Sequence, residues 1–166
     1  MTETRVSIFP PITAFLKRTM SLGEAINFSA CGIGSDTTCR RMGGYRLPDF
    51  QRPLVWTEDQ NILLIESIWD GMDIGSYAIV EDLTNPKNDG LLLDGQQRLN
   101  ALFRYHNNEF PVRGYLWSEL TDTDRREFKR STFPRVTLRS PSEETMRTYY
   151  NRMNFSGVRH TMDQQA

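Results

Sequence analysis

The sequence predicts a mixed α/β (α+β) fold, a small mixed sheet flanked by helices, and three observations carry that expectation. Short apolar runs of strand length, such as Tyr77 to Asp82 and Leu91 to Leu93, are interspersed with longer stretches at helical spacing. The links between them are short and rich in Gly, Pro, Asn and Asp. With 166 residues, 38% hydrophobic and 25% charged, the chain has the size and composition of one domain with a real core.

Taken in order, Ser21 to Asn27 reads as a short helix, and "CGIGSDTTCRRMGG" after it as a loop. The glycines at 32, 34, 43 and 44 do not form a GxxxxGK[ST] phosphate loop. Residues 1–44 are thus expected to be a helix and connector, 45–161 the ordered core and 162–166 a tail. "YRLPDFQRPLVW" predicts a short strand and then extended chain, because Pro48 and Pro53 disfavour helix in the residues before them. Thr57-Glu-Asp-Gln60 has capping-box spacing, Ile62 to Trp69 supplies a wide apolar face, and Gly71 is a natural stop. Tyr77–Asp82 and Leu91–Leu93 predict a hairpin-like pair of strands around the turn-rich "LTNPKNDG". A helix from about Gln96 to Tyr105 follows, then a turn at Asn107-Asn108, a short strand at Phe110 to Val112, a polar helix from Asp122 to Arg130 and a strand from Arg135 to Leu138. Ser140-Pro-Ser-Glu143 offers an N-cap Ser, Pro at N1 and Glu at N3 for a last helix to about Met153.

Charge is unevenly distributed although the net is −1. Asp49 to Asp94 holds ten acidic and two basic residues, whereas Arg125 to Arg159 holds nine basic and three acidic. Among the basic residues only Lys17, Lys87 and Lys129 are lysines; arginine is the side chain whose planar fork matches phosphate. No apolar run approaches the roughly 20 residues of a membrane span, and the N-terminus lacks the pattern of a signal peptide, so a cytoplasmic protein with no membrane partner is expected. Cys31 and Cys39, with His106 and His160 far off in sequence, give little support for zinc.

Chemistry concentrates at "LLLDGQQRLNAL". If a strand hands over to a helix here, the amides of Gly95, Gln96 and Gln97 emerge at the positive end of the helix dipole and welcome an anion. Arg98 adds a bidentate grip on phosphate, and Gln96 or Gln97 can orient a water or hydrogen-bond a ribose or base. The same residues fit a plain N-cap, with Asp94 as cap and Gln97 at N3, and both roles can coexist. A second cluster is Asp49, Gln51, Arg52 and Trp56, equally readable as a rigid proline-bounded segment. A third is Arg152 with Asn154, equally readable as a helix end.

Together "LPDFQRPLVW", "LLLDGQQRLNAL" and "YYNRMNFSGVRHT" resemble, in order and spacing, the family that forms the N-terminal half of GmrSD-type modification-dependent restriction enzymes, itself similar in fold to ParB N-terminal domains and sulfiredoxin. The first motif is matched by Pro48, Phe50, Gln51, Arg52, Pro53, Val55 and Trp56, the second by Asp94 to Arg98, and the third by Tyr150, Arg152, Asn154 and Gly157, with His160-Thr161 replacing the usual Leu-Thr ending. The resemblance implies a nucleoside triphosphate site with Mg²⁺ and, in members with this activity, hydrolysis. Asp94, Gln97 and Arg98 would then be catalytic. Arg98 and the amides at 95–97 would hold phosphates, with Gln51, Arg52, Gly95, Gln96, Gln97, Arg152 and Asn154 completing the nucleotide site. Asp94 would hold Mg²⁺ or its water, or cap the helix.

No HNH nuclease motif is present, which favours a sensor, inhibitor or partner subunit in restriction or anti-restriction, of the kind suited to a phage or mobile element. The alternatives are a DNA-binding module or nuclease subunit using Arg125, Arg126, Arg130, Arg135 and Arg139, and a non-enzymatic protein that binds a nuclease or host-defence protein.

Overall fold

A computed structural model describes residues 15–30 and 40–155. Its elements are β1 (Phe15–Arg18), α1 (Leu22–Ala30), β2 (Arg41–Met42), β3 (Tyr45–Arg46), α2 (Glu58–Trp69), β4 (Tyr77–Glu81), β5 (Leu92–Asp94), α3 (Gln96–His106), α4 (Asp122–Arg130), β6 (Arg135–Arg139) and α5 (Glu143–Phe155), with a 3₁₀ turn at Trp117–Glu119.

The central sheet has the order β1-β6-β4-β5. β1 runs antiparallel to β6, β6 parallel to β4, and β4 antiparallel to β5. The mixed sheet and flanking helices are therefore as expected. Both faces of the central strands are covered, and the alternation along β4 sorts its side chains between two clusters. Tyr77 and Ile79, with Leu92 of β5, join a large core built with Leu22 and Ile26 of α1, Ile65 and Ile68 of α2, Leu99 and Leu102 of α3, and Phe128 of α4. Ala78 and Val80, with Leu93 and Leu138, face the opposite way onto Met146 of α5, where Phe50 and Tyr149 also pack. This two-sided burial is why "YAIV" and "LLL" read as unbroken apolar runs.

Local signals placed most helices well. The Thr57 capping box is formed in both directions: the Gln60 amide donates to Thr57 Oγ1 at 3.3 Å, and the Thr57 amide donates to Gln60 Oε1 at 2.9 Å. Helix α4 begins with a second box, Thr121 with Asp124, and covers the expected residues.

Four details differ from expectation. The core begins before Tyr45: Leu22, Ala25 and Ile26 are fully buried and β1 is an edge of the main sheet. The end of the expected loop is structured, because Arg41–Met42 pairs with Tyr45–Arg46 across Gly43-Gly44. Phe110 to Val112 is not a strand; Val112 makes a lone bridge to Tyr115. Finally α5 starts two residues late. Ser142 accepts the Thr145 amide at 3.1 Å, while Ser140, with φ +39°, stands outside the helix. Cys31, Cys39, Gly157, His160 and Thr161 lie outside the described residues.

Candidate functional site at the start of helix α3

The turn from β5 into α3 rests on Gly95. Its φ of +91° is a left-handed conformation, and a Cβ there would lie 2.6 Å from the Cβ of Tyr77, so only glycine fits. Tyr77 is itself held deep in the core, where it packs edge-on to Tyr45 at 5.9 Å and accepts a 3.3 Å hydrogen bond from the Tyr45 hydroxyl. Burial pushes both phenol pKa values up.

Gly95 is the N-cap of α3 and supplies no side chain to the first-turn amides. Asp94 is therefore not the cap. It pairs with Ala78 in the sheet, which fixes it as a strand residue, and its carboxylate turns to Arg98 Nη2 at 2.9 Å. The same Nη2 donates to the Ser76 carbonyl at 2.6 Å. Arg98 is thus braced across the start of β4 rather than left reaching outward, and its Nε is buried without a partner.

The two glutamines between them do a different job. Gln96 Nε2 donates to the Arg52 carbonyl at 2.6 Å. Gln97 Oε1 accepts the amides of Val55 and Trp56, each at 3.3 Å, and its Nε2 donates to the Pro53 carbonyl at 3.3 Å. Among the described residues the proline-bounded segment 52–56 has no strand partner for these groups, and the side chains of α3 substitute for one. Tyr150 of α5 adds a third tie, its hydroxyl accepting the Arg52 amide at 3.2 Å. With both ends of its amide engaged, Gln97 is a clamp on this segment.

These ties bring Gln51, Arg52 and Trp56 of the second sequence cluster to the first, while Asp49 lines a different groove with Lys87 and Arg147. Gln51, Arg52, Trp56, Asp94, Gly95, Gln96, Gln97, Arg98 and Asn154 line a single cavity of about 80 Å³. Asn154 is anchored there by donating to the Tyr150 carbonyl at 2.9 Å. Two polar atoms of this wall, Gln51 Oε1 and Gln96 Oε1, are buried with no hydrogen-bond partner, and each residue is only 4% exposed. Arg152 is not part of this cavity. It lies two residues before Asn154 on α5, exposed, along a groove with Tyr149 and Met153.

Tyr149 went unnoticed in the sequence. Burial and the Asp94 carboxylate push its pKa up to about 12, opposed by Arg98, and it packs against the cluster of Ala78, Val80, Leu93 and Leu138. The only signal for it was the doubled aromatic of "YYNRMN", of which Tyr150 takes the aromatic position of the motif.

The arginines of the basic segment are dispersed. Arg125 pairs with Asp122 at 2.7 Å, Arg130 with Glu127 at 3.6 Å and Arg139 with Glu81 at 3.5 Å. Arg126 contacts Thr123, and Arg135 lies against the Tyr45 and Tyr77 hydroxyls with its Nε buried. Among the described residues no group of three or more His, Cys, Asp or Glu is placed to hold a metal, and no helix is long and apolar enough to cross a membrane.

Fold and cavity together define a class: a mixed α/β domain that presents a polar cavity where a strand turns into a helix through Asp-Gly-Gln-Gln-Arg. The model of the GmrSD restriction endonuclease N-terminal domain matches residues 35–163, and the chain belongs to that family. It is also similar to the uncharacterized protein MJ0686 of Methanocaldococcus jannaschii, with 35% identity over 95 residues. That match covers 43% of this chain and 16% of the relative's length. No solved structure matches the chain significantly.

Proposed function

We propose that this chain is the nucleotide-binding part of a restriction-related system and takes a nucleoside triphosphate at the α3 cavity. One observation carries the reading: the FQRP segment and the Asp-Gly-Gln-Gln-Arg turn, distant in sequence, converge on one polar cavity at a helix start whose N-cap has no capping side chain. The partial positive charge of that helix end favours an anion. Arg52, exposed at the rim and without a carboxylate partner among the described residues, adds a full charge. A cavity of about 80 Å³ is far below the ~300 Å³ or more of an enclosing small-molecule pocket, so only part of the nucleotide enters it and the rest lies along the surface.

Asp94 is the carboxylate of the cavity wall and the residue that would hold Mg²⁺. Its Oδ2 faces Arg98, leaving Oδ1, and Mg²⁺ commonly takes one carboxylate together with phosphate oxygens. The ion would supply neutralisation of the phosphate charge. Any hydrolysis here rests on positioning and electrostatics from Asp94 and Arg52. Gln97, committed to the 53–56 backbone, is not the residue that orients water.

Thermal unfolding with each of the four ribonucleoside triphosphates, with and without Mg²⁺, tests the proposal. A ligand bound by the native state at about a hundred times its Kd adds roughly 2.7 kcal/mol of stability. A rise in Tm that is lost in Arg52→Ala supports the reading; no rise with any nucleotide defeats it.

A further inference from the structure

We infer that the base of the nucleotide lies in the groove formed by Phe50, Arg52, Arg147, Tyr150 and Asn151, stacked on the guanidinium plane of Arg147, while the phosphates occupy the start of α3. The inference rests on the nucleotide reading above and adds where the rest of that ligand is held.

Arg52 joins the two spaces. It lines the cavity at α3 and also a groove of about 350 Å³ that it shares with the other four residues. The cavity admits only part of a nucleotide, whereas the groove falls within the roughly 300–1,000 Å³ of small-molecule sites. The backbone at this junction is fixed by three side chains. The Arg52 carbonyl accepts from Gln96 Nε2 at 2.6 Å and from Arg40 Nη2 at 3.3 Å, and the Arg52 amide donates to the Tyr150 hydroxyl at 3.2 Å. The Arg52 side chain therefore leaves from a set point between cavity and groove. The groove beside Tyr149 and Met153, by contrast, shares no residue with the cavity.

The lining of the shared groove selects a base rather than a further phosphate. The Arg147 guanidinium lies over the Phe50 ring, 4.7 Å from its centroid, and Phe50 is braced in turn by Tyr150, edge-on at 5.3 Å. Glu143 holds the guanidinium in place, its Oε1 accepting from Arg147 Nε at 2.9 Å and lying 2.9 Å from Nη2. The charge of Arg147 is thus already matched, while its side chain stays about half exposed. A phosphate would find here only the charge of Arg52 without a carboxylate partner among the described residues. A base finds a fixed plane on which its π face can stack, as bases do on guanidinium groups. Asn151 lies one helical turn beyond Arg147 on α5, exposed and lining the same groove, and its amide offers a donor and an acceptor to the base edge.

Calorimetric titration of the full chain with the four ribonucleoside triphosphates and with inorganic triphosphate, both with Mg²⁺, is the test. The nucleotides are expected to bind about tenfold or more tightly than inorganic triphosphate, the gain coming from stacking. Arg147→Lys keeps the charge and loses the plane, so it should remove most of that gain and leave inorganic triphosphate unchanged. Asn151→Leu, a second exposed position, should weaken the nucleotides several-fold and likewise spare inorganic triphosphate. Inorganic triphosphate binding as tightly as the nucleotides, or a nucleotide preference that survives Arg147→Lys, overturns the base assignment and leaves the phosphate site standing. A preference lost in Met153→Ser but kept in Arg147→Lys also overturns it, by moving the base to the groove beside Tyr149. No binding of nucleotide or triphosphate overturns both readings.

Discussion

Residues 94–98 and residues 125–139 both offer arginine beside an element end, and they use it in opposite ways. In the first, Arg98 is drawn inward, braced by Asp94 and the Ser76 carbonyl, and its neighbours surround a cavity with polar atoms left over. In the second, Arg125, Arg130 and Arg139 are each matched by a nearby carboxylate, while Arg135 is turned into the tyrosine pair of the core. Each region holds two buried side-chain atoms without a hydrogen-bond partner, Gln96 Oε1 and Arg98 Nε in the first and Arg135 Nε and Thr137 Oγ1 in the second, but the first has less charge and its residues line a cavity. A count of arginines favours the second as an anion site, whereas the cavity at a helix start favours the first.

The contrast can be broken most sharply at Gly95. Gly95→Ala combines a left-handed backbone with a Cβ driven into Tyr77 and should cost about 3–5 kcal/mol in denaturant unfolding, enough to remove the site with the fold. A cost below 1 kcal/mol would mean the turn tolerates another conformation. Gln97→Leu should come next, at about 2–3 kcal/mol, because the Val55 and Trp56 amides both lose their acceptor. Hydrogen exchange at those two amides should accelerate before global unfolding does.

Asp94→Asn sharpens the comparison within the site. Both partners of this ion pair are largely but not fully buried, so a loss of about 1–2 kcal/mol is expected, between the values for exposed and buried pairs. If Asp94 also holds Mg²⁺, the Mg²⁺-dependent part of the nucleotide affinity disappears too; an unchanged Mg²⁺ dependence in calorimetry would restrict Asp94 to bracing Arg98. Arg125→Ala with Arg130→Ala should be the mildest change, within about 0.5 kcal/mol of wild-type stability for exposed pairs. Nucleotide affinity should not move at all. A clear loss of affinity would return the basic segment to the site.

A pH experiment probes the far end of α3. Burial, reinforced by Lys129, holds the pKa of His106 below its usual value, and its ring packs on Trp117 at 5.1 Å. The folded state favours neutral imidazole, so this contribution is whole above about pH 6.5 and is lost as pH falls through the lowered folded value. His106→Gln should flatten that acid-side decline in Tm.

Much of this was legible because it is local. The box at Thr57, the helix at 122–130 and the strand pair around 83–91 are each encoded within a few neighbouring residues. What escaped depends on distant partners. Phe15–Arg18 becomes a strand only beside β6, more than a hundred residues on. Asp94 fails as a cap because pairing with Ala78 assigns it to the sheet and moves the cap to Gly95. The converging motifs were readable as a site, but the glutamines' hold on 52–56 was not, since no spacing in the sequence specifies which backbone a side chain will serve. Arg152 shows the reverse: its motif spacing fits the others, and helix rotation carries it out of the cavity.

The glutamine clamp has a consequence for the order of assembly. Its bonds join residues 41–44 positions apart, and β4 pairs with β6 across an intervening β5, α3 and α4. Contacts that close long loops form late, after local helices and hairpins, because the chain entropy of closure must be met before the contact contributes anything. The cavity is therefore among the last parts of the molecule to exist. Refolding followed by the indole of Trp56, which lines it, should lag behind the recovery of helical circular dichroism, so that ligand binding reports completed tertiary structure rather than secondary structure alone.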